Sequence, residues 1–231
     1  QHYMKQPPPA QMAVVAEPTC LEIVNAHKGV ARWFLETAGR SCHSSAPEQG
    51  VNAIYRMGRL LPAIERYADE LRQSRSDPVL GPPTLSVGRI DGGQSANIVP
   101  DRCRIEIDRR LLPGEDPQAA PDHLAEFLRS AVTGDVPFTV SKPWLHAPAL
   151  SADKSTKIVH RLSEAIRSVG SQPLCRAVPF GTDASTIALA GIPSVVFGPG
   201  DIAKAHTCDE WIPLQEVEMA SEILYRLVCQ D

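Results

Sequence analysis

Arg102-Cys103-Arg104-Ile105-Glu106-Ile107-Asp108-Arg109-Arg110-Leu111 decides how the middle of this chain must fold. Cys103, Ile105 and Ile107 alternate with Arg104, Glu106, Asp108 and Arg110. Successive side chains of a strand point to opposite faces, so this alternation predicts a strand with one face in a core and one in water. On its N-terminal side, Ile54, Met57, Leu61, Ile64, Ala68 and Leu71 follow helical spacing over 52–73, and a strand is predicted near 85–90. On its C-terminal side, Leu124, Phe127, Leu128 and Ala131 predict a helix over 122–132, followed by a strand near 138–141. With a further strand at 31–38 in front, the order is β-α-β-β-α-β, the split pattern of a ferredoxin-like α+β unit.

The two ends of the chain have another texture. Met12-Ala13-Val14-Val15-Ala16 and Ser194-Val195-Val196-Phe197 are short apolar runs without alternation, and 174–178 is a weaker third. Such runs suit strands buried on both faces of an α/β sheet. Between and after them lie amphipathic helices. One covers 154–169, with Ile158, Leu162, Ala165, Ile166 and Val169 on one face and Gly170 as its stop; another begins at Pro213 and buries Val217, Ala220, Ile223, Leu224 and Leu227. The predicted architecture is an α/β domain built from 1–26 and 144–231, with an α+β unit, 27–143, inserted into it.

Composition narrows the function classes. The 231 residues carry a formal net charge of −4, with 43% hydrophobic and 22% charged residues, the profile of an ordinary globular protein. Neither a nucleic acid nor an anionic membrane surface is an expected partner of such a chain. No apolar run approaches the roughly 20 residues of a membrane span. The six cysteines show no Cys-x-x-Cys and no dense framework, which suits reduced thiols in a cytoplasmic protein. The 21 prolines are about twice the usual share and cluster at joints between elements.

Ligands of open α/β sheets bind outside the carboxyl ends of strands. That rule selects Glu17 after the first apolar run, Gly181-Thr182-Asp183 after the third, and His206 in the loop that follows Gly198-Pro199-Gly200. A carboxylate and an imidazole at one sheet edge are both donors that zinc accepts. Two donors do not make a zinc site, however. On pattern alone, Glu17 before a proline also fits a solvated strand end, His206 a surface histidine, and Gly181-Thr182 a helix cap and turn.

Seven motifs in order carry the reading further. They are Ala16-Glu17-Pro18-Thr19, Ala26-His27-Lys28-Gly29, Cys42-His43-Ser44-Ser45-Ala46-Pro47-Glu48, Asn97-Ile98-Val99-Pro100-Asp101, Asp108 to Gly114, Gly181-Thr182-Asp183-Ala184, and Gly198-Pro199-Gly200 with Ala205-His206-Thr207. Together they resemble the zinc-dependent amidohydrolases and exopeptidases that include acetylornithine deacetylase, succinyl-diaminopimelate desuccinylase and aminoacylase, over nearly the whole chain. The resemblance implies a partial zinc-exopeptidase-like α/β catalytic domain with an inserted ferredoxin-like lid that also carries a homodimer interface. It implies two zinc ions per complete site, with cobalt as a possible substitute. Glu17 matches a ligand of one metal and His206 a ligand of the other. His43 matches the lid histidine that stabilises the oxyanion in the partner subunit. Asn97 and Arg110 match residues that hold the substrate, Arg110 by its carboxylate, and Gly181 and Thr182 match the loop lining the pocket.

The implied reaction is removal of an acyl group from an N-acyl amino acid, most like the acetylornithine deacetylase of arginine biosynthesis. The alternatives are a dipeptidase, carboxypeptidase or desuccinylase of the same family, or a non-catalytic dimerisation or binding module. His27 is expected to be structural, Arg109 to form surface ion pairs, and His123, His146 and His160 to be solvated. The family's His-x-Asp segment, bridging aspartate and Glu-Glu pair find no match ahead of Ala16. The expectation is therefore a cut edge at Gln1-His2-Tyr3-Met4, and a chain that is inactive by itself.

Overall fold

The alternating stretch forms β5 (Arg102–Leu111), and its burial alternates residue by residue, with Cys103, Ile105, Ile107 and Leu111 inside. The computed structural model describes Met4 and residues 6–229. Gln1, His2 and Tyr3, where the sequence pattern puts the cut edge, lie outside the described residues. The chain divides into two units, residues 30–146 and residues 1–29 with 147–231.

In the unit of residues 30–146, β5 lies inside a sheet with β3 (Gly29–Ala38), β4 (Thr84–Gly92) and β6 (Phe138–Val140), in the order β4-β5-β3-β6; a short strand, β7 (Leu145–Ala147), also pairs with β3. β4 runs antiparallel to β5 from Thr84↔Arg110 to Gly92↔Cys103. Two helices, α1 (Ala53–Ser74) and α2 (Ala120–Ala131), bring Met57, Leu60, Ile64, Leu124 and Leu128 into one core with Trp33, Leu35, Ile105 and Ile107. Asn52 caps α1 by accepting the amide of Tyr55 at 3.1 Å. Ile54 stands out at 39% exposed, where the spacing predicts a core residue, because the buried stripe runs through Ala53, Met57, Leu60 and Ile64 instead. α2 starts two residues earlier than the apolar pattern predicts, since Pro121 sits in its first turn, where a missing amide proton costs nothing. Arg109 also differs from expectation. Its ion pair is not on the surface: the residue is 4% exposed, and its guanidinium donates to Glu115 at 2.7 Å and to the Arg110 carbonyl at 2.7 Å.

The other unit is a four-stranded sheet of β1 (Ala13–Val15), β2 (Ile23–His27), β8 (Cys175–Val178) and β9 (Ser194–Val196), in the order β1-β9-β2-β8. β1 is parallel to β9 and β2 is parallel to β8, while β2 meets β9 antiparallel at Val24↔Val196. The sheet is therefore mixed. Only β9 is buried along its whole length; β1 and β8 are edge strands and half-open, so the expected burial on both faces fails there. α3 (Thr156–Ser168) and α5 (Leu214–Cys229) close a core of Ile158, Leu162, Ile166, Ala220, Ile223 and Leu227 against Ile23, Val195 and Phe197. A short helix, α4 (Ala184–Leu189), packs Ala184 and Ala188 on Val24, Val178 and Val196. The six cysteines are free thiols, and no helix among the described residues is long and apolar enough to cross a membrane.

Burial assigns the energetic weight. Ile107→Ala, which empties a fully buried site, should cost about 2–5 kcal/mol. Leu189→Ala, at a position 68% exposed, should stay within about 0.5 kcal/mol. Urea titration followed by tryptophan fluorescence in a Trp144→Phe, Trp211→Phe background, which leaves the fully buried Trp33 as the reporter, measures the first; a midpoint unchanged by Ile107→Ala would contradict the placement of this core.

Candidate active site

β1 and β9 are in register at Val15↔Val196, so the chain leaves the sheet at one carboxyl edge through Glu17 and through Gly198. The two exits are stitched together by the buried Thr19. Its hydroxyl accepts the Gly198 amide at 3.0 Å and donates to the Glu22 carbonyl at 2.7 Å, and its own amide donates to the Gly198 carbonyl at 3.2 Å. Gly198 has to be glycine: a Cβ there would lie 2.6 Å from the Glu17 carbonyl oxygen. The Cys20 amide donates to the Gly200 carbonyl at 2.7 Å, and the Gly200 amide donates to Glu216 at 2.7 Å. The loop continues to His206, an exposed residue whose amide donates to Glu210 at 3.2 Å.

Among the described residues, three non-glycine residues hold positive φ, and all belong to these two loops: Cys20 at 54°, Leu21 at 62° and His206 at 61°. Each left-handed residue costs roughly 1–2 kcal/mol, so the hydrogen bonds around Thr19 and Gly200 are holding strained backbone in place. Partial desolvation pushes the Cys20 thiol up, and the carboxylates of Asp201 and Glu216 push it further. Glu17 and His206 thus emerge from one edge, and carboxylate and imidazole are donors that suit zinc. Their number does not fill a shell: among the described residues no group of three or more His, Cys, Asp or Glu side chains is arranged to hold a metal.

At the end of β2, His27 is fully buried. Its Nδ1 lies 2.9 Å from the Lys28 carbonyl, and its Nε2 faces the Thr182 amide at 3.3 Å and the Thr182 hydroxyl at 3.1 Å. Thr182, proposed from the motifs as a pocket residue, therefore turns its polar groups toward His27. Gly181 is half-buried beside it and Asp183 is exposed.

The unit of residues 30–146 brings His43 and Asn97 together. His43 bridges to Ile98, and the Ser44 amide donates to the Asn97 carbonyl at 3.0 Å. The Ser45 amide donates to His43 Nδ1 at 3.2 Å, and the Ser45 hydroxyl lies 2.7 Å from the same nitrogen. An amide can only donate, so Nδ1 is the acceptor and Nε2 carries the proton of the neutral ring. That is the form able to donate to a developing oxyanion. Both residues are exposed.

Arg110 is not brought to them. It lies at the far end of β5 from the loop that holds Asn97, and eight residues of strand from Arg102 to Arg110 span about 26 Å. Its Nε donates to Asp108 at 2.7 Å, and the other oxygen of Asp108 accepts from Arg32 at 2.6 Å. Sequence patterning passed over Thr19, Asp108 and Arg32. Asp108 had a signal, since it shares the polar face of β5 with Arg110 two residues away; Thr19 had only its place in the Ala16–Thr19 motif and Arg32 none, because their partners are distant in sequence.

Burial pushes the His27 imidazole below its ordinary value near 6.5. The unfolded chain then binds the extra proton first, so this residue's contribution to stability is complete above about pH 6.5 and is lost as pH falls below it, with a slope of up to about 1.4 kcal/mol per pH unit. Denaturant titrations at pH 7.5, 6.0 and 5.0 should show that slope in the natural chain and a shallower one in His27→Phe. Equal slopes would contradict it.

Comparison with known proteins adds an independent line. Residues 25–135 match the peptidase dimerisation domain of the M20 group. An acetylornithine deacetylase of Myxococcus xanthus is 34% identical over 223 residues, covering 95% of this chain and 57% of that protein. One from Proteus mirabilis is 34% identical over 218 residues, 94% and 55% of the two chains. An N-acetyl-L-citrulline deacetylase of Xanthomonas campestris is 29% identical over 224 residues, 95% and 59%. Among solved structures, aminopeptidase PepT of Bacillus cereus superposes with a TM-score of 0.70 at 26% identity, covering 94% of this chain and 56% of that one. An M20 family metallo-carboxypeptidase of Sulfolobus solfataricus shares the fold at a TM-score of 0.67 and 17% identity, with 94% and 61% covered. The chain spans somewhat more than half the length of the curated relatives it matches.

Proposed function

The chain belongs to the M20 peptidase family, and from that membership we propose that it is the lid-bearing part of a two-zinc amidohydrolase that removes the acyl group from an N-acyl amino acid, with acetylornithine as the first candidate. The observation that carries the substrate class is the 34% identity to an acetylornithine deacetylase along 95% of this chain. A peptidase of the same family is the second reading, favoured by the likeness to aminopeptidase PepT.

In this proposal Glu17 binds one zinc and His206 the other, and the remaining donors and the general base come from sequence other than these 231 residues. Zinc ions held there would supply Lewis acidity and a hydroxide near neutral pH. The chain's own residues do the rest. His43 donates a hydrogen bond from its Nε2–H to the oxyanion, Asn97 adds an amide donor beside it, and Arg110 offers a planar fork to the substrate carboxylate. Gly181 and Thr182 line the pocket. Because some 26 Å of strand separates the His43–Asn97 end from Arg110, far more than an N-acyl amino acid spans, the two ends serve different active sites of a homodimer. His43 and Asn97 act on the partner's substrate.

The second copy has a surface to use. β4 is an edge strand whose residues from Ser86 onward are largely exposed, and an unpaired edge is a template for a further strand. Beside it runs a groove lined by Leu61, Pro62, Ala68, Leu85 and Val87. Ser86→Arg, a charge placed on this edge, should shift the protein from dimer to monomer in sedimentation; an unchanged dimer would exclude this face.

Activity gives the main test. With added zinc, the 231-residue chain alone should hydrolyse acetylornithine no faster than zinc in buffer, and measurable turnover would overturn the division of the site. In the complete protein His43→Ala should lower turnover about 10²–10³-fold. Mixing it with Glu17→Ala subunits should restore part of the activity. Failure to restore any would place His43 in its own subunit's site. Cleavage of dipeptides but of no N-acyl amino acid would favour the peptidase reading.

A further inference from the structure

His27 lies between partners that each have one possible role. A backbone carbonyl can only accept, so the 2.9 Å contact of Nδ1 with the Lys28 carbonyl requires the ring proton on Nδ1. A backbone amide can only donate, so the 3.3 Å contact of Nε2 with the Thr182 amide requires a lone pair on Nε2. The two requirements agree on the neutral Nδ1–H tautomer and leave no room for the other.

The bonds continue beyond the ring. The Thr182 hydroxyl donates to Nε2 and accepts the Ala184 amide at 3.3 Å, and the Ser185 hydroxyl donates to the Thr182 carbonyl at 3.1 Å. A continuous chain thus runs from the Lys28 carbonyl through the imidazole and Thr182 into the first turn of α4, each link polarising the next. The backbone that carries the imidazole is held as well. The His27 amide donates to the Leu150 carbonyl at 3.2 Å and the Leu150 amide returns a bond at 3.0 Å. Two residues on, Gly29 meets the backbone of 147–149 so closely that a Cβ would lie 2.7 Å from the Ala149 nitrogen.

We propose that His27 is a positioning residue for the Gly181–Asp183 loop: its neutral Nδ1–H tautomer takes the amide and hydroxyl of Thr182 out of the pocket and sets which loop groups a ligand meets. With both Thr182 donors engaged by His27, neither is free to meet a ligand from that loop. The role of this loop as a pocket wall rests on the function proposed above; the hydrogen-bond chain does not.

The test uses the 231-residue chain and needs no turnover, so its failure is separable from failure of the deacylase reading. In a long-range proton–nitrogen correlation spectrum at neutral pH, His27 should show a protonated Nδ1 and an unprotonated Nε2. The opposite tautomer, or a charged ring, would overturn the proposal. Amide exchange supplies the second arm: Thr182 should exchange about tenfold faster in His27→Phe, the loss of one buried acceptor, while Ile107 in the other unit is unchanged. His27→Gln, whose side-chain carbonyl can accept a hydrogen bond, should recover part of the protection. If Thr182 exchanges equally in the natural chain and in His27→Phe, the histidine only fills space and the proposal fails. Should His27→Phe not fold, the tautomer of the natural chain still decides.

Discussion

The hydroxyl of Thr19 is the contact on which the edge carrying Glu17 and His206 depends. It is buried, it accepts from Gly198 and donates to Glu22, and it joins the exit of β1 to the exit of β9. Glu17 leads into that clamp and His206 follows from it through Gly200. Three residues of the two loops sit at positive φ, a strain that persists only where neighbouring bonds over-determine the backbone. The same unit repeats the device on a smaller scale at His27, where a buried ring ties the β8–α4 loop to the end of β2.

The other unit is governed by a length. β5 is ten residues long, with its apolar face against α1 and α2 and its polar face carrying Arg32's partner Asp108 and Arg110. One end of the strand adjoins the His43–Asn97 pair and the other end carries Arg110. Residues that a motif comparison groups as one substrate-holding set are held apart by the rigidity of a paired strand. A dimer resolves this without moving either group, which is why the dimerisation domain and the chemistry belong to one proposal.

Much of this was legible in the sequence because it depends on local period. The alternation of β5 fixed its inward face residue by residue, and helical spacing located α1, α3 and α5. The β2 strand was not legible: Ile23-Val24-Asn25-Ala26-His27 is short, carries two polar residues and has no flanking turn signal beyond Gly29. The mixed direction of its sheet was hidden for the same reason, since strand order and direction are set by distant pairings. In the candidate site the carboxylate of Glu17 and the imidazole of His206 were visible as candidate donors at strand ends. What positions them was not, because Thr19 with Gly198 and His27 with Thr182 are contacts across more than 150 residues. Arg109 misled in the other direction: a charged residue on a strand looks solvated until Glu115, reached through a turn, shows it a buried partner.

Glu17 and His206 leave the sheet at one edge, and their proposed role is to act as zinc donors that do not complete a metal site by themselves. Calorimetric titration of the 231-residue chain with zinc at neutral pH tests it most directly. Weak binding that is lost in Glu17→Gln and in His206→Ala is the result this account predicts, since a stable zinc site takes three or four protein donors. Tight binding of two ions by the chain alone, or weak binding indifferent to both substitutions, would contradict it.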